Sequence, residues 1–192
     1  MSRLPTLIEA ALTDHQQKVF DDIASGPRGN VYGPLRVWLQ SPGLAETAQA
    51  LGQYARYDSA LPAHLSELAI LVTARYWSSG FEWAHHAPIA LRVGVPERAV
   101  TAIAKALRAE FDDPQMQAVF DFVVDLHLNK KVSDTVYEAA HEALGVQACV
   151  DLVGICGYYT LISMTINVFD VADGDGPTLP KLDMPIAAYF RN

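Results

Sequence analysis

The sequence predicts an all-α fold, and three observations carry that reading. Apolar residues recur at three- and four-residue spacing along most of the chain, proline and glycine mostly punctuate those runs, and no alternating strand pattern is flanked by hairpin turns. A chain of 192 residues, 51% hydrophobic and 19% charged, is long enough for one core with an appended tail. Residues 1–170 are expected to form a single helical domain and residues 171–192 a tail that docks on the body or on a neighbouring subunit.

The elements follow from start and stop signals. Thr13 with Gln16 makes a capping box for a helix over "DHQQKVFDDIAS", and Gly26-Pro27 stops it. The loop "GPRGNVYGP" leads to a short "LRVWLQ". Ser41-Pro42 then supplies an N-cap and a proline at the first helical position for a segment with Leu44, Ala48, Leu51 and Ala55 at helical spacing. Pro62 opens "PAHLSELAILVTARYWSS", which Gly80 closes; its apolar run "LAILVTA" faces other helices on every side. The next helix, "SSGFEWAHHAPIALRVG", stops at Gly94. Pro96 begins "PERAVTAIAKAL", Asp113-Pro114 begins "PQMQAVFDFVVDLHLNKK", and Ser133 begins "SDTVYEAAHEAL", which Gly145 ends. The last helix, Ala148 to Phe169, has the length of a membrane span. Asp151, Thr160, Ser163, Thr165 and Asn167 interrupt it, so burial in protein is expected. Gly174, Gly176, Pro177 and Pro180 exclude a helix through the tail. No period of solenoid length repeats.

Composition narrows the function. With 14 Lys plus Arg against 22 Asp plus Glu, the chain carries a net charge of −8 and no basic stripe, which argues against nucleic acid and anionic membranes as partners. The N-terminal stretch has no signal-peptide core, so a cytoplasmic protein is expected. Cys149 and Cys156 lie seven residues apart on one helix, roughly 10 Å along the axis at 1.5 Å per residue. They cannot form a disulfide there and read as small buried apolar residues.

Chemistry concentrates between Ser66 and Gly94. Glu82, His86, Ile89, Ala90 and Val93 share one helical stripe, so the acid and the imidazole face inward as an i, i+4 pair near enough to bond to each other or to one substrate. Pro88 cannot donate to the carbonyl of Ala84, which is left free beside His86. Such a pair can serve packing alone, as a structural network in a non-catalytic oligomer, but converging ionisable groups beside a helix irregularity also mark sites. A metal reading competes, because Glu82–His85 ("EWAH") and Glu138–His141 ("EAAH") both have the Glu-x-x-His spacing of di-iron bundles. Asp134, Glu138, His141 and Glu142 form the polar face of their helix, so the second copy should point to solvent, and a di-metal centre is not expected. His15, His64 and His127 lack ligand spacing and are expected to be surface or structural histidines.

The stretch "SELAILVTARYWSSGFEWAHHAPIALRVGVPE" resembles the core motif of the carboxymuconolactone decarboxylase and alkylhydroperoxidase D superfamily. Glu67 matches the family glutamate, His86 the histidine, and Ala90 and Gly94 the residues that follow it at fixed offsets. Glu82, Trp83 and His86 reproduce the Glu-Trp-x-x-His of the decarboxylase branch, and "LVGICGYYTLISMTINVF" is similar to its last long helix, so the likeness spans roughly residues 30 to 170. Where the peroxidase branch carries Cys-x-x-Cys, this chain has Ser79 and Glu82, so dithiol peroxidase chemistry is not expected. The resemblance implies an alkylhydroperoxidase D-like helical bundle and a cofactor-independent carboxy-lyase, or related isomerase, of aromatic-compound catabolism. Its partner would be a small organic acid or lactone, and the subunits would assemble as a trimer or hexamer. It further implies His86 as proton donor, Glu82 as its orienting partner and Glu67 as a second acid or base. Tyr76 and Trp83 would wall the substrate pocket with His85 at its rim, and Arg36, Arg56, Arg75 and Arg92 are candidates for an anionic substrate group.

Overall fold

The computed structural model describes residues 3–5, 7–183, 186 and 190. Among them are nine α-helices and no strand: α1 (Asp14–Ser25), α2 (Pro34–Trp38), α3 (Pro42–Gln53), α4 (Ala63–Tyr76), α5 (Gly80–Arg92), α6 (Glu97–Ala104), α7 (Pro114–Asn129), α8 (Asp134–Leu144) and α9 (Val146–Phe169). The all-α expectation holds. A short 3-10 turn, Glu9–Ala11, precedes α1, and a π-helical turn, Tyr54–Asp58, continues α3.

Local signals place most of the boundaries. The capping box is present, with Thr13 Oγ1 accepting from Gln16 N at 3.3 Å and Gln16 Oε1 accepting from Thr13 N at 3.0 Å. Pro42 and Pro114 occupy first-turn positions of α3 and α7. Ser41 makes no side-chain cap bond, so at α3 the proline is the working signal.

α4 is the hub. Every residue from Leu65 to Arg75 is buried, because α5, α7 and α9 pack around it while α6 covers its end. That answers to its all-round apolar sequence, and removing one fully buried leucine such as Leu68 or Leu71 would cost about 2–5 kcal/mol. α8 packs on α7 and α9, α2 and α3 pack on α9, and α1 packs on α3. α9 is long and apolar enough to cross a membrane by composition alone, but half of that stretch is buried within the chain, as in a core helix.

Arg75 ends α4 with its guanidinium buried. Nη1 donates to Ala104 O at 3.0 Å and to Pro180 O at 2.7 Å, joining α6 and the tail to the hub. The tail also crosses α5. A Cβ on Gly176 would sit 2.0 Å from Ala84 O, the carbonyl that Pro88 leaves without its helical donor, and one on Gly80 would sit 2.3 Å from the Asp173 carboxylate. Of the apolar tail end, Met184 to Phe190, only Ile186 and Phe190 lie among the described residues; Phe190 is buried with its ring 6.2 Å from that of Phe120.

Candidate active site

α4 and α5 bring the sequence-predicted acid–base residues together. His86 Nδ1 lies 2.7 Å from Glu67 Oε2 across the α4–α5 interface, and His86 Nε2 lies 3.3 Å from Glu82 Oε2 one turn back on α5. All three are buried, at 2%, 5% and 3% exposure for His86, Glu67 and Glu82, so their charges interact with little screening. Burial acts to lower the His86 pKa, but the Glu67 and Glu82 carboxylates outweigh it and hold the imidazole above its ordinary value. The ring of Tyr159 on α9 meets that of His86 edge-on at 5.1 Å and 88°.

A cavity of about 230 Å³ opens beside this triad. Glu82, His85 and His86 line it from α5, Arg56 and Tyr57 from the π turn, Tyr159 and Ile162 from α9, and Arg28, Asn30 and Tyr32 from the loop before α2. Glu67, expected as a second acid or base, is not among the lining residues: its carboxylate stands behind His86, bonded to Nδ1.

Two further placements differ from the sequence reading. Tyr76 lies on the far side of α4, its ring stacked on His127 at 4.6 Å and 17°, its hydroxyl bonded by Lys130 Nζ. Trp83 is buried in the hydrophobic core at 3% exposure. Neither lines the cavity, because aromatic residues at helical spacing do not say which neighbour a helix turns them toward. His85 does line it. Burial, the neighbouring His86 and Arg56 together press its pKa down to about 4, so it is neutral at physiological pH.

Of the four arginines named from sequence, only Arg56 reaches the cavity. Arg36 pairs with Glu9 at 2.8 Å, Arg75 ties α4 to the tail, and Arg92 is exposed. The π turn that carries Arg56 is pinned to α9 by Asp151, which accepts from Tyr54 Oη at 2.9 Å and from Ala60 N at 2.8 Å. Sequence reasoning missed Arg28, Tyr32 and Tyr159. The signal for the first two was their place in a Gly/Pro-rich loop, the kind of segment that carries function on a rigid scaffold.

The remaining candidates sort cleanly. Ser79 is fully buried at the N-cap of α5, off the cavity. Cys149 and Cys156 are free, buried and on α9; burial pushes the Cys156 thiol up to about 12, far from a reactive thiolate. Glu138 and His141 are exposed on α8, and among the described residues no three His, Cys, Asp or Glu side chains gather as a metal site.

Residues 42–125, from α3 into α7, match the carboxymuconolactone decarboxylase family; the stretch includes Arg56, Glu67, Glu82, His85 and His86. No curated protein matches the chain. Among solved structures, the chain is similar to an uncharacterised peroxidase-related protein from Ralstonia eutropha with an alkylhydroperoxidase AhpD core (TM-score 0.73, 17% identity, covering 91% of this chain and 93% of that one). A peroxidase-related protein from a Silicibacter species gives a TM-score of 0.71 at 13% identity over 90% and 91% of the two chains. The debrominase Bmp8 in its apo form gives 0.69 at 14% identity over 89% and 91%. At these identities the solved structures establish the fold alone.

Proposed function

We propose, for a chain whose residues 42–125 match the carboxymuconolactone decarboxylase family, a cofactor-independent carboxy-lyase activity on a small unsaturated lactone or related acid. One observation carries this reading: a histidine held between two carboxylates, at 2.7 and 3.3 Å, on the wall of a cavity large enough for a small acid. The two carboxylates push the His86 pKa up and so favour the protonated imidazole that a proton donor requires.

The chemistry needs little else. As the carboxylate carbon departs as carbon dioxide, the electron pair of the breaking C–C bond moves through a conjugated alkene into the lactone carbonyl and forms a dienolate. The substrate is thus its own electron sink. His86 passes its Nε2 proton to carbon and recovers one from water, Glu82 orients the imidazolium at the cavity wall, and Glu67 fixes the ring through Nδ1. Two of the fold relatives are described as peroxidase-related. The absence of any cysteine among the cavity-lining residues supports acid–base over dithiol chemistry in this chain.

Incubation with 4-carboxymuconolactone and a panel of unsaturated lactone acids, with release of carbon dioxide as the readout, tests the proposal. Wild-type protein should turn over at least one of them and His86→Ala none. A panel left untouched, with His86→Ala altering only the melting temperature, overturns it in favour of a second reading. The triad would then be a structural network, a reading supported by the near-complete burial of all three side chains.

The protein is further proposed to assemble with copies of itself in the cytoplasm, as a trimer or hexamer. Val146, Val150, Val153, Met164 and Val168 stand 39–65% exposed along one face of α9, an apolar stripe of the kind oligomer interfaces cover. Sedimentation reads the copy number, and a monomer at micromolar concentration rejects assembly.

A further inference from the structure

Beside Glu82 and His86 the cavity is lined by Arg28, Tyr32, Arg56 and His85, and the geometry fixes the direction of some of their hydrogen bonds. Arg56 Nη2 lies 3.1 Å from His85 Nε2. A guanidinium only donates, so Nε2 carries the ring's lone pair and the proton of neutral His85 sits on Nδ1. Tyr32 Oη lies 3.2 Å from that Nδ1 and accepts from it. The tyrosine's own hydrogen is then left with no acceptor in the described protein, on a side chain that lines the cavity.

Arg56 itself has donors to spare. Its described contacts are His85 and the ring of Tyr57, 5.4 Å from the guanidinium carbon, and no described carboxylate pairs with it. Arg28 is similar: Nη2 donates to Tyr158 Oη at 3.0 Å, while its buried Nε has no acceptor. The two arginines share one small cavity and neither makes an ion pair with a described carboxylate, although Glu67 acts on Arg56 at longer range.

The backbone is shaped to hold these groups. The π turn presents Arg56, and Asp151 clamps that turn on both flanks through Tyr54 and Ala60; such turns recur at functional positions. A Cβ on Gly52 would lie 2.1 Å from Tyr158 Oη and 2.5 Å from Arg28 Nη2. Gly33, at φ +55°, leaves room for the ring of Phe81, whose Cζ would stand 2.2 Å from an added Cβ. Bare backbone lies where the donor wall needs close approach.

We propose that Arg56, Arg28 and the Tyr32 hydroxyl form a carboxylate subsite, with His85 as the positioning residue that turns the Tyr32 O–H toward the ligand. The inference rests on reading the cavity as a substrate site. It also narrows the substrate class. A clamp on the departing carboxylate would stabilise the ground state and oppose its loss. The clamped group is therefore one the substrate keeps, and the reacting carbon faces His86. The substrate is a small acid with an anionic group besides the one that reacts.

Titration calorimetry with 2-furoate and its neutral isostere 2-furamide tests the subsite without any turnover. Wild-type protein should prefer furoate by at least ~10-fold, as charge-assisted pairing requires. Arg56→Met should bring that preference close to unity, with Arg56→Lys between the two. Tyr32→Phe should weaken furoate by about 3- to 10-fold, the worth of one hydrogen bond, and leave furamide nearly unchanged. His85→Phe, which keeps the charge of Arg56 but no longer orients the hydroxyl, should resemble Tyr32→Phe. Equal binding of the two probes, binding of neither, or a preference that survives Arg56→Met overturns the subsite, with unchanged melting of the variants as the control for folding. If Arg56 governs furoate while no lactone acid is turned over, the subsite stands and the lyase reading falls.

Discussion

His86 and His127 are both buried, at 2% and 7% exposure, and both are hydrogen-bonded, yet they titrate in opposite directions. Desolvation presses each toward the neutral form. Around His86 two carboxylates reverse that pressure. Around His127 the groups that face it are Thr73, whose Oγ1 lies 3.0 Å from Nε2, the stacked ring of Tyr76, and Lys130, whose charge adds to burial; its pKa falls to about 4. A buried histidine is thus not a site by virtue of burial. What distinguishes α5 is that charge partners and a cavity meet at one imidazole.

The strongest way to break this contrast is to remove a partner of His86. Its folded pKa lies above its unfolded value of about 6.5, so its pairing stabilises the fold fully below about pH 6.5 and ceases to do so as pH rises through the raised folded pKa. Glu67→Ala leaves a buried imidazolium with Glu82 alone and should cost about 3–5 kcal/mol near pH 6 by urea denaturation. The cost should shrink on the alkaline side as His86 turns neutral. An equal cost at both ends would mean that Glu67 contributes by packing and that the charge pairing has been misjudged.

The opposite window belongs to His127. Its folded pKa of about 4 is below the unfolded value, so its contribution is present above about pH 6.5 and lost as pH falls toward 4. The whole span is worth on the order of 3 kcal/mol. His85 is depressed in the same direction and adds to the acid-side loss, so the test must isolate His127. His127→Phe keeps a ring against Tyr76 and gives up the Thr73 bond. It should cost about 1 kcal/mol at neutral pH and become neutral or stabilising near pH 4, seen as a flattened acid limb in urea midpoints. A parallel limb would assign the acid sensitivity elsewhere.

How much of this was legible in sequence follows from the range of each interaction. Helix starts were, because capping boxes and first-turn prolines act within four residues. Three helix ends were overrun. α4 stops at Tyr76, α6 at Ala104 and α7 at Asn129, where Ser78 (φ +50°), Ala106 (φ +55°) and Lys130 (φ +60°) adopt the left-handed conformation that glycine usually signals, and Gly80 opens α5 rather than closing α4. At α6 the Leu107 N–H closes on Ala102 O at 2.9 Å, a Schellman-type stop built without glycine. The π turn of 54–58 gave no composition signal at all. Within the site, the Glu82–His86 pair was readable from helix periodicity and Glu67 only through family likeness. Arg28 and Tyr32 come from a loop more than fifty residues before His86, which no local pattern links to it.

The smallest expected effect comes from the pattern that looked most alike. Glu82–His85 and Glu138–His141 share their spacing, but α5 lies beneath the tail against α4 while α8 presents its copy to solvent. His141 only stacks on Tyr137, at 6.0 Å and 11°. Glu138→Gln with His141→Gln should therefore change stability by no more than ~0.5 kcal/mol and leave furoate binding untouched. The same exchange at Glu82 removes a carboxylate that His86 leans on and should lower the His86 pKa, read by nuclear magnetic resonance titration of the imidazole. If the α8 pair proved as costly as Glu82, spacing rather than placement would be governing the chemistry. A charged pair in water is screened and already solvated, whereas the same pair beside a cavity has only its neighbours to stabilise it.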